Sequence, residues 1–263
     1  MTTMSKRTAL ITGASAGIGE RFSHRLAREG YNLILVARRR ERLEALAESL
    51  AGKYGVDVRV LSEDLGDPQA PSRIIDQVQT WDLHVDFLVN NAGFAAKTSL
   101  VKSEWPELQQ EIQVMVTALT ELMIRFGKQM VSRGYGHIVN VSSLAAFAPT
   151  PAGMLYTGIK SYVLNASESA DMEFKRSGVH VTALCPGFTY TEFHDVQGTR
   201  DLVSKLPSVF WQDAETVVDA GYRAVLAGRP VCVPGAFNKT MGGLSRILPE
   251  ALRYRLGSRG RIY

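Results

Sequence analysis

Thr8-Ala9-Leu10-Ile11-Thr12-Gly13-Ala14-Ser15-Ala16-Gly17-Ile18-Gly19 is the stretch of sequence that decides the fold. The run Thr8–Thr12 reads as a buried strand, and the pattern over residues 18–29 reads as a helix. Between them lies a turn with Gly13 and Gly17, and Gly19 follows in the first turn of the helix; these let the backbone reverse tightly and approach a bulky anion closely. The helix that follows would aim its first amides, and the positive end of its dipole, at that anion. A glycine-rich turn is weak evidence alone; in a strand–turn–helix context it predicts a pyrophosphate cradle. Gly13, Ser15, Gly17, Ile18 and Gly19 are the candidate contacts.

The rest of the chain repeats the alternation. Strand-like runs occur at Asn32–Ala37, Val56–Leu61, Phe87–Asn90, His137–Val141, Val179–Leu184 and Val231–Val233. Helical patterns fill about 39–53, 68–80, 104–133, 153–177 and 214–227. Continuous β-branched and leucine runs suit strands covered on both faces. The expected architecture is α/β: a single-domain, Rossmann-type, doubly wound parallel sheet of about seven strands with helices on both faces. Residues 1–240 form the expected dinucleotide-binding catalytic domain, and 241–263 a basic amphipathic C-terminal tail.

The end of the second strand bears on the nucleotide. An NAD site usually carries an acid about 20 residues beyond the glycines, to bind the ribose 2′-hydroxyl. Here the chain reads Val36-Ala37-Arg38-Arg39-Arg40, with no acid before Glu41. Guanidinium groups suit a 2′-phosphate, so NADP (as NADPH) is favoured over NAD. Arg38 is the expected direct contact and Arg40 the least favoured, the competing reading being a solvated helix start partnered by Glu41 or Glu44.

Tyr156 and Lys160 stand four residues apart, with Ser143 thirteen residues upstream of the tyrosine. On a helix, positions i and i+4 share a face. A free tyrosine titrates near roughly 10, and a neighbouring cation favours its phenolate. The arrangement suits proton exchange with a hydroxyl or carbonyl oxygen, although the same spacing also occurs as an amphipathic pair with a solvated lysine.

With these pieces in order, the chain resembles the short-chain dehydrogenase/reductase superfamily over residues 8 to about 235. The resemblance rests on Thr12–Gly19, Asp64-Leu65, Asn90-Asn91-Ala92-Gly93, Ser143, Tyr156 with Lys160, and Pro186-Gly187. It implies that Asp64 and Leu65 flank the adenine and that Asn91, Ala92 and Gly93 line the adenosine side. It implies a strand-tying role for Asn90, and contacts from Pro186, Gly187, Thr189 and Thr191 to the nicotinamide end. Ser143 would polarise a carbonyl and Tyr156 would exchange its proton. Lys160 would lower the tyrosine pKa and hold the ribose. Family spacing selects Ser143 over Ser142, which is left as a strand-end hydrogen bonder. The family's fourth catalytic residue, an asparagine holding a relay water, falls on Met115. Residues 104–133 contain no asparagine, and Gln113 is on a different helix face.

Composition bounds the alternatives. The chain has 263 residues, 45% hydrophobic and 21% charged, with a net charge of +4. Arg246, Arg253, Arg255, Arg259 and Arg261 against Glu250 account for that whole excess, so the body is neutral. A basic helix of this kind packs on its own domain or a partner subunit more often than on a membrane; nucleic-acid binding is disfavoured. No transmembrane run or secretory leader is expected, and Cys185 and Cys232 read as buried free thiols of a cytoplasmic protein. His24, His84, His137 and His180 lack ligand spacing, so no metal is expected, and His194 reads as exposed.

Phe94, Leu144, Phe147, Met154, Leu155, Tyr190, Phe193, Phe210 and Trp211 neighbour the catalytic motifs, each as plausibly core as lining. They suggest a hydrophobic small-molecule carbonyl or secondary alcohol. The apolar faces of the two long helices suggest a homodimer or homotetramer. The expectation is an NADP(H)-dependent oxidoreductase; the alternative, raised by Met115, is a non-catalytic NADP-binding sensor or membrane-associated scaffold.

Overall fold

The structure, a computed structural model, describes residues 6–94, 103–148, 154–191 and 211–259. Its strands in chain order are β1 Thr8–Thr12, β2 Asn32–Ala37, β3 Val58–Ser62, β4 Val85–Asn90, β5 Gly136–Val141, β6 Val179–Leu184, β7 Phe188–Thr189, β8 Trp211–Gln212 and β9 Val231–Cys232. Seven of them form one parallel sheet in the order β3-β2-β1-β4-β5-β6-β9. The remaining two, β7 and β8, pair as a small parallel ribbon.

Alternation along the strands explains why both faces need cover. Ala9 and Ile11 of β1, with Leu33 and Leu35 of β2, point into one core. Leu10, Ile34 and Val36 point into the other. Successive strand side chains face opposite ways, so a continuously apolar strand feeds two cores at once. The first core is closed by α1 Gly17–Arg28, α2 Arg40–Tyr54 and α7 Ala214–Leu226, through residues such as Phe22, Leu43 and Val218. The second is closed by α3 Ala70–Thr80, α5 Leu119–Arg133 and α6 Met154–Phe174, through Ile74, Phe126 and Val163.

Strand order reverses between β1 and β4, which are register partners at Leu10–Leu88 and Ile11–Val89. In a parallel sheet every strand ends at the same edge, and the crevice at the reversal is where ligands bind. Six candidate motifs follow strand ends: the glycine turn after β1, Arg38 after β2, Asp64 after β3, Asn91 after β4, Ser143 after β5 and Pro186 after β6; Tyr156 and Lys160 lie on α6.

Several details depart from the sequence expectations, among them three that bear on the site and its flank. The third strand starts at Val58 rather than Val56. The helix expected over 104–133 is three pieces: α4 Trp105–Ile112, a π-helical turn Gln113–Ala118, and α5. A widened turn leaves the apolar periodicity nearly intact, so the pattern does not betray it. Finally, the expected 240/241 boundary falls inside α8 Ala236–Ile247, which is followed by α9 Glu250–Arg259. α8 packs on the body: a Cβ at Gly242 would sit 3.4 Å from Leu144, and the Arg246 guanidinium lies 4.9 Å from the Phe147 ring centre. Among the described residues no helix is long and apolar enough to cross a membrane.

Candidate active site

The glycine turn is held before any ligand arrives. Thr12 Oγ1 donates to the Val89 carbonyl oxygen (3.3 Å) and accepts from the Asn91 and Ala92 amides (3.0 and 3.1 Å). Asn91 Nδ2 donates to the Thr12 and Gly13 carbonyl oxygens at 3.1 and 3.2 Å. Gly17 has φ +58, and Thr191 stands against it, with its Cβ 3.1 Å from where a Gly17 Cβ would be. A Cβ on Gly19 would fall 2.3 Å from the Gly13 carbonyl oxygen. Ala16 precedes α1 without a side-chain cap, leaving first-turn amides available to an anion. The cradle therefore fits a pyrophosphate by shape and by donor chemistry.

Beside it, the three arginines separate. Arg39 donates through Nε and Nη2 to Ser15 Oγ (3.2 and 3.0 Å) and through Nη2 to the Ser15 carbonyl oxygen (3.3 Å). Arg38 is exposed and stands 3.9 Å from Asp64 Oδ2, while Arg40 pairs with Glu44. The sequence reading ranked Arg38 first, but the guanidinium lying on the loop is that of Arg39. One residue of turn between β2 and α2 decides which guanidinium faces the cradle, and residue type alone cannot reveal it. Asp64 Oδ1 accepts from the Gly66 amide at 2.9 Å, and Leu65 is buried in the second core.

The acid–base candidates lie on α6 against the end of β5. Lys160 is only 6% exposed; its Nζ is 5.5 Å from the centre of the Tyr156 ring and donates to the Val141 carbonyl oxygen at 2.9 Å. Burial pushes the Lys160 pKa down to about 8, against smaller upward pulls from Cys185 and Glu111. Ser142 Oγ donates to the Lys160 carbonyl oxygen, as a strand-end hydrogen bonder should. Ser143 is the partly exposed one, and its Oγ accepts from the Ala145 amide at 3.1 Å, capping the single turn Leu144–Phe147. The Leu144 amide donates to the Pro186 carbonyl oxygen, joining this turn to the segment after β6, where Thr189 Oγ1 donates to the Gly187 carbonyl oxygen.

Residues 7–201 match the family described as short chain dehydrogenase. The chain belongs to that family. A very-long-chain 3-oxoacyl-CoA reductase of Anas platyrhynchos is 30% identical over 254 residues, covering 92% of this chain and 76% of the relative. Among solved structures, a short-chain dehydrogenase from Sphingobium yanoikuyae in complex with NADPH is 33% identical with a TM-score of 0.81, covering 93% of this chain and 97% of that one. A bulky-bulky ketone specific alcohol dehydrogenase from Comamonas testosteroni is 27% identical with a TM-score of 0.78, covering 94% and 97%.

In this short-chain dehydrogenase, Asn90 ties strands as the resemblance implied. Its Nδ2 donates at 2.9 Å to Oδ1 of Asn140, its register partner on β5, and Asn140 Nδ2 donates to Ser167 Oγ on α6. Met115 lies within the π turn, 1% exposed, with its sulfur 3.0 Å from where a Gly93 Cβ would be. Thr120 Oγ1 takes up the Val116 carbonyl oxygen at 2.6 Å, inside the same widened stretch. Gln113 Nε2 is buried without a hydrogen-bond partner among the described residues.

On the substrate side, Phe147 takes the core alternative: it is buried with Leu164, Ala183 and Cys185 in a third cluster, with the Arg246 guanidinium over its ring. Leu144 packs on that cluster, and Phe94 and Leu155 on the second core. Tyr190 and Trp211 stack at 4.6 Å, and Tyr190 is exposed. Phe193, His194, Phe210 and the Met154 side chain lie outside the described residues. Among the described residues no cluster of His, Cys, Asp or Glu could hold a metal. His137 stacks on Phe87, and burial pushes its pKa down to about 4.

Proposed function

We propose that the protein is an NADP(H)-dependent oxidoreductase acting on a bulky hydrophobic carbonyl or secondary alcohol. The observation that carries the reading is a buried ammonium, Lys160, held beside the ring of Tyr156 at the ligand edge of the sheet. Gly13, Ser15, Gly17, Ile18, Gly19 and Thr191 would hold the pyrophosphate and nicotinamide side, Arg39 with Arg38 the 2′-phosphate, and Asp64 the adenine end. When bound, the nicotinamide supplies or accepts hydride.

The chain's own residues do the rest. Ser143 Oγ donates to the substrate oxygen and polarises it. Tyr156 passes its phenolic proton to that oxygen in reduction, or removes one in oxidation. Lys160 stabilises the phenolate that remains. The NADPH-bound relative supports the nucleotide, and the alcohol dehydrogenase for bulky ketones supports the substrate class. Cys185 and Cys232, both free and buried, fit a reducing cytoplasm. A hollow lined by Val116, Thr120, Ile124 and Tyr162 on the outer side of α5 and α6 supports a homo-oligomer.

The test is oxidation of NADPH and NADH, side by side, with a panel of bulky ketones and aldehydes. NADPH-dependent turnover that Tyr156→Phe abolishes while nucleotide binding persists is the expected result. Binding without turnover would favour the second reading, a non-catalytic NADP sensor, for which Met115 in the family's asparagine position is the supporting observation.

A further inference from the structure

Helix α8 turns only one side to the body. Asn238 is buried and donates through Nδ2 to Gln212 Oε1 at 3.0 Å, and Gly242 lies against Leu144 and Phe147. Those two positions, four residues apart, define the buried face. Met241, Leu244 and Ile247 recur every three residues on an arc turned away from it, and all three are exposed, Ile247 to 78%. Beyond Pro249 the exposure continues with Leu252 and Tyr254 of α9. Single apolar residues are ordinary on a protein surface, whereas a run of them along one helix and into the next marks a binding face.

Positive charge gathers in the same place. Residues 243–263 hold the whole net charge of +4, and the rest of the chain is neutral. Arg246 is committed inward, over the Phe147 ring and 3.8 Å from Glu168. The outward cations are therefore exposed Lys239 and Arg255 and half-buried Arg253, with Arg259 and Arg261 following in sequence.

This chemistry separates the kinds of occupant. A second copy would bring the same basic tail to a two-fold contact, setting like charge against like. A nucleic acid would answer the cations and leave the apolar arc in water. An anionic lipid surface answers both, because its acyl boundary takes apolar side chains and its headgroups take cations. Among the described residues no helix could cross the bilayer, so the contact is with its surface.

We propose that α8 and α9 dock this protein on an anionic membrane surface, with Met241, Leu244 and Ile247 entering the boundary between headgroups and acyl chains. Because α8 packs on the turn that Ser143 caps, docking brings the candidate site close to the bilayer, where bulky hydrophobic carbonyls collect. That consequence rests on the proposed function; the docking itself does not.

The experiment is co-sedimentation of the full chain with vesicles of phosphatidylcholine, alone and with about 30% phosphatidylserine. Binding to the anionic vesicles is expected to be at least about tenfold tighter, and to weaken about tenfold or more as salt rises from about 0.05 to about 0.5 M. Leu244→Ser/Ile247→Ser and Arg253→Gln/Arg255→Gln should each weaken it about tenfold or more while circular dichroism and melting temperature hold. A further measurement locates the contact. An environment-sensitive fluorophore on Ile247→Cys, selective because Cys185 and Cys232 are buried, should shift to the blue on anionic vesicles. A wild type that ignores anionic vesicles overturns the inference, and so does binding that leaves the probe unmoved or both double variants undiminished. An oligomer in sedimentation velocity that Leu244→Ser/Ile247→Ser dissociates would give the face to a second copy and overturn it as well. A lack of NADPH-dependent carbonyl reduction overturns the proposed function alone.

Discussion

Ser142 and Lys160 are stapled together: the serine hydroxyl donates to the lysine carbonyl oxygen at 2.7 Å, and both residues are buried. Lys160 returns the link by donating through Nζ to the Val141 carbonyl oxygen, one residue before the serine. The end of β5 and the middle of α6 are thereby fixed as one unit, with Ser143 as the next residue along.

Adjacent serines should therefore separate by phenotype. Ser142→Ala is expected to lower stability by about 0.5–1.5 kcal/mol, since one buried hydrogen bond is lost. Ser143→Ala should lower stability less than about 1 kcal/mol, the worth of a short cap, and lower turnover at least about a hundredfold. Chemical denaturation and initial rates check both. Equal turnover loss in the two variants would contradict the assignment of Ser143.

Lys160 should be a liability for the fold at neutral pH. Its folded pKa, about 8, is depressed below the ordinary lysine value of 10.5, so between those limits the unfolded chain binds more protons. The destabilisation is complete below about pH 8 and disappears as pH rises through about 10.5. Lys160→Met is thus expected to be more stable than wild type by about 1–3 kcal/mol at pH 7, while losing activity. The advantage should shrink on going to pH 10.5. Taking the difference between the two proteins cancels Tyr31, whose pKa burial raises and whose contribution runs the opposite way. An advantage independent of pH would refute the buried cation.

Nucleotide choice should depend on Arg39 more than on Arg38. Arg39→Ala is expected to weaken NADPH binding about tenfold to a hundredfold and NADH binding less than about threefold. Arg38→Ala should have the smaller effect, because its guanidinium stands towards Asp64 while that of Arg39 is bonded to Ser15. Fluorescence titration of both nucleotides gives the ratio, and a larger loss in Arg38→Ala would restore the ranking from sequence.

Asn140→Ala should destabilise without touching nucleotide selectivity. It removes the acceptor of Asn90 Nδ2 inside the fold and leaves a small void, together about 2–4 kcal/mol. The denaturation midpoint should fall while the NADPH-to-NADH affinity ratio holds.

The architecture was legible in sequence because its strands are continuously apolar and its helices amphipathic, and those periods survive translation into structure. Asn32–Ala37, the strand best marked by this pattern, came out with the bounds expected of it. β7 and β8 were illegible because two residues carry no period. The π turn was hidden because it inserts into an otherwise regular helix. At the site, residue types that touch backbone, such as glycines and Ser142, were legible from spacing. Orientation was not: that Arg39 is the arginine bonded to Ser15 depends on which way a side chain leaves its turn.

Helix α8 sits on Leu144 and Phe147 although it follows β5 by almost a hundred residues, and Asn238 fastens it to Gln212. Synthesis runs from the N-terminus, so the elements that cradle the nucleotide leave the ribosome well before the one that covers this flank. During that interval a nascent chain presents a cofactor cleft beside a bare apolar patch, the kind of surface that chaperones recognise. Nucleotide captured early would steady the half already made, so nucleotide supply would set the yield of folded protein as well as the rate of the reaction.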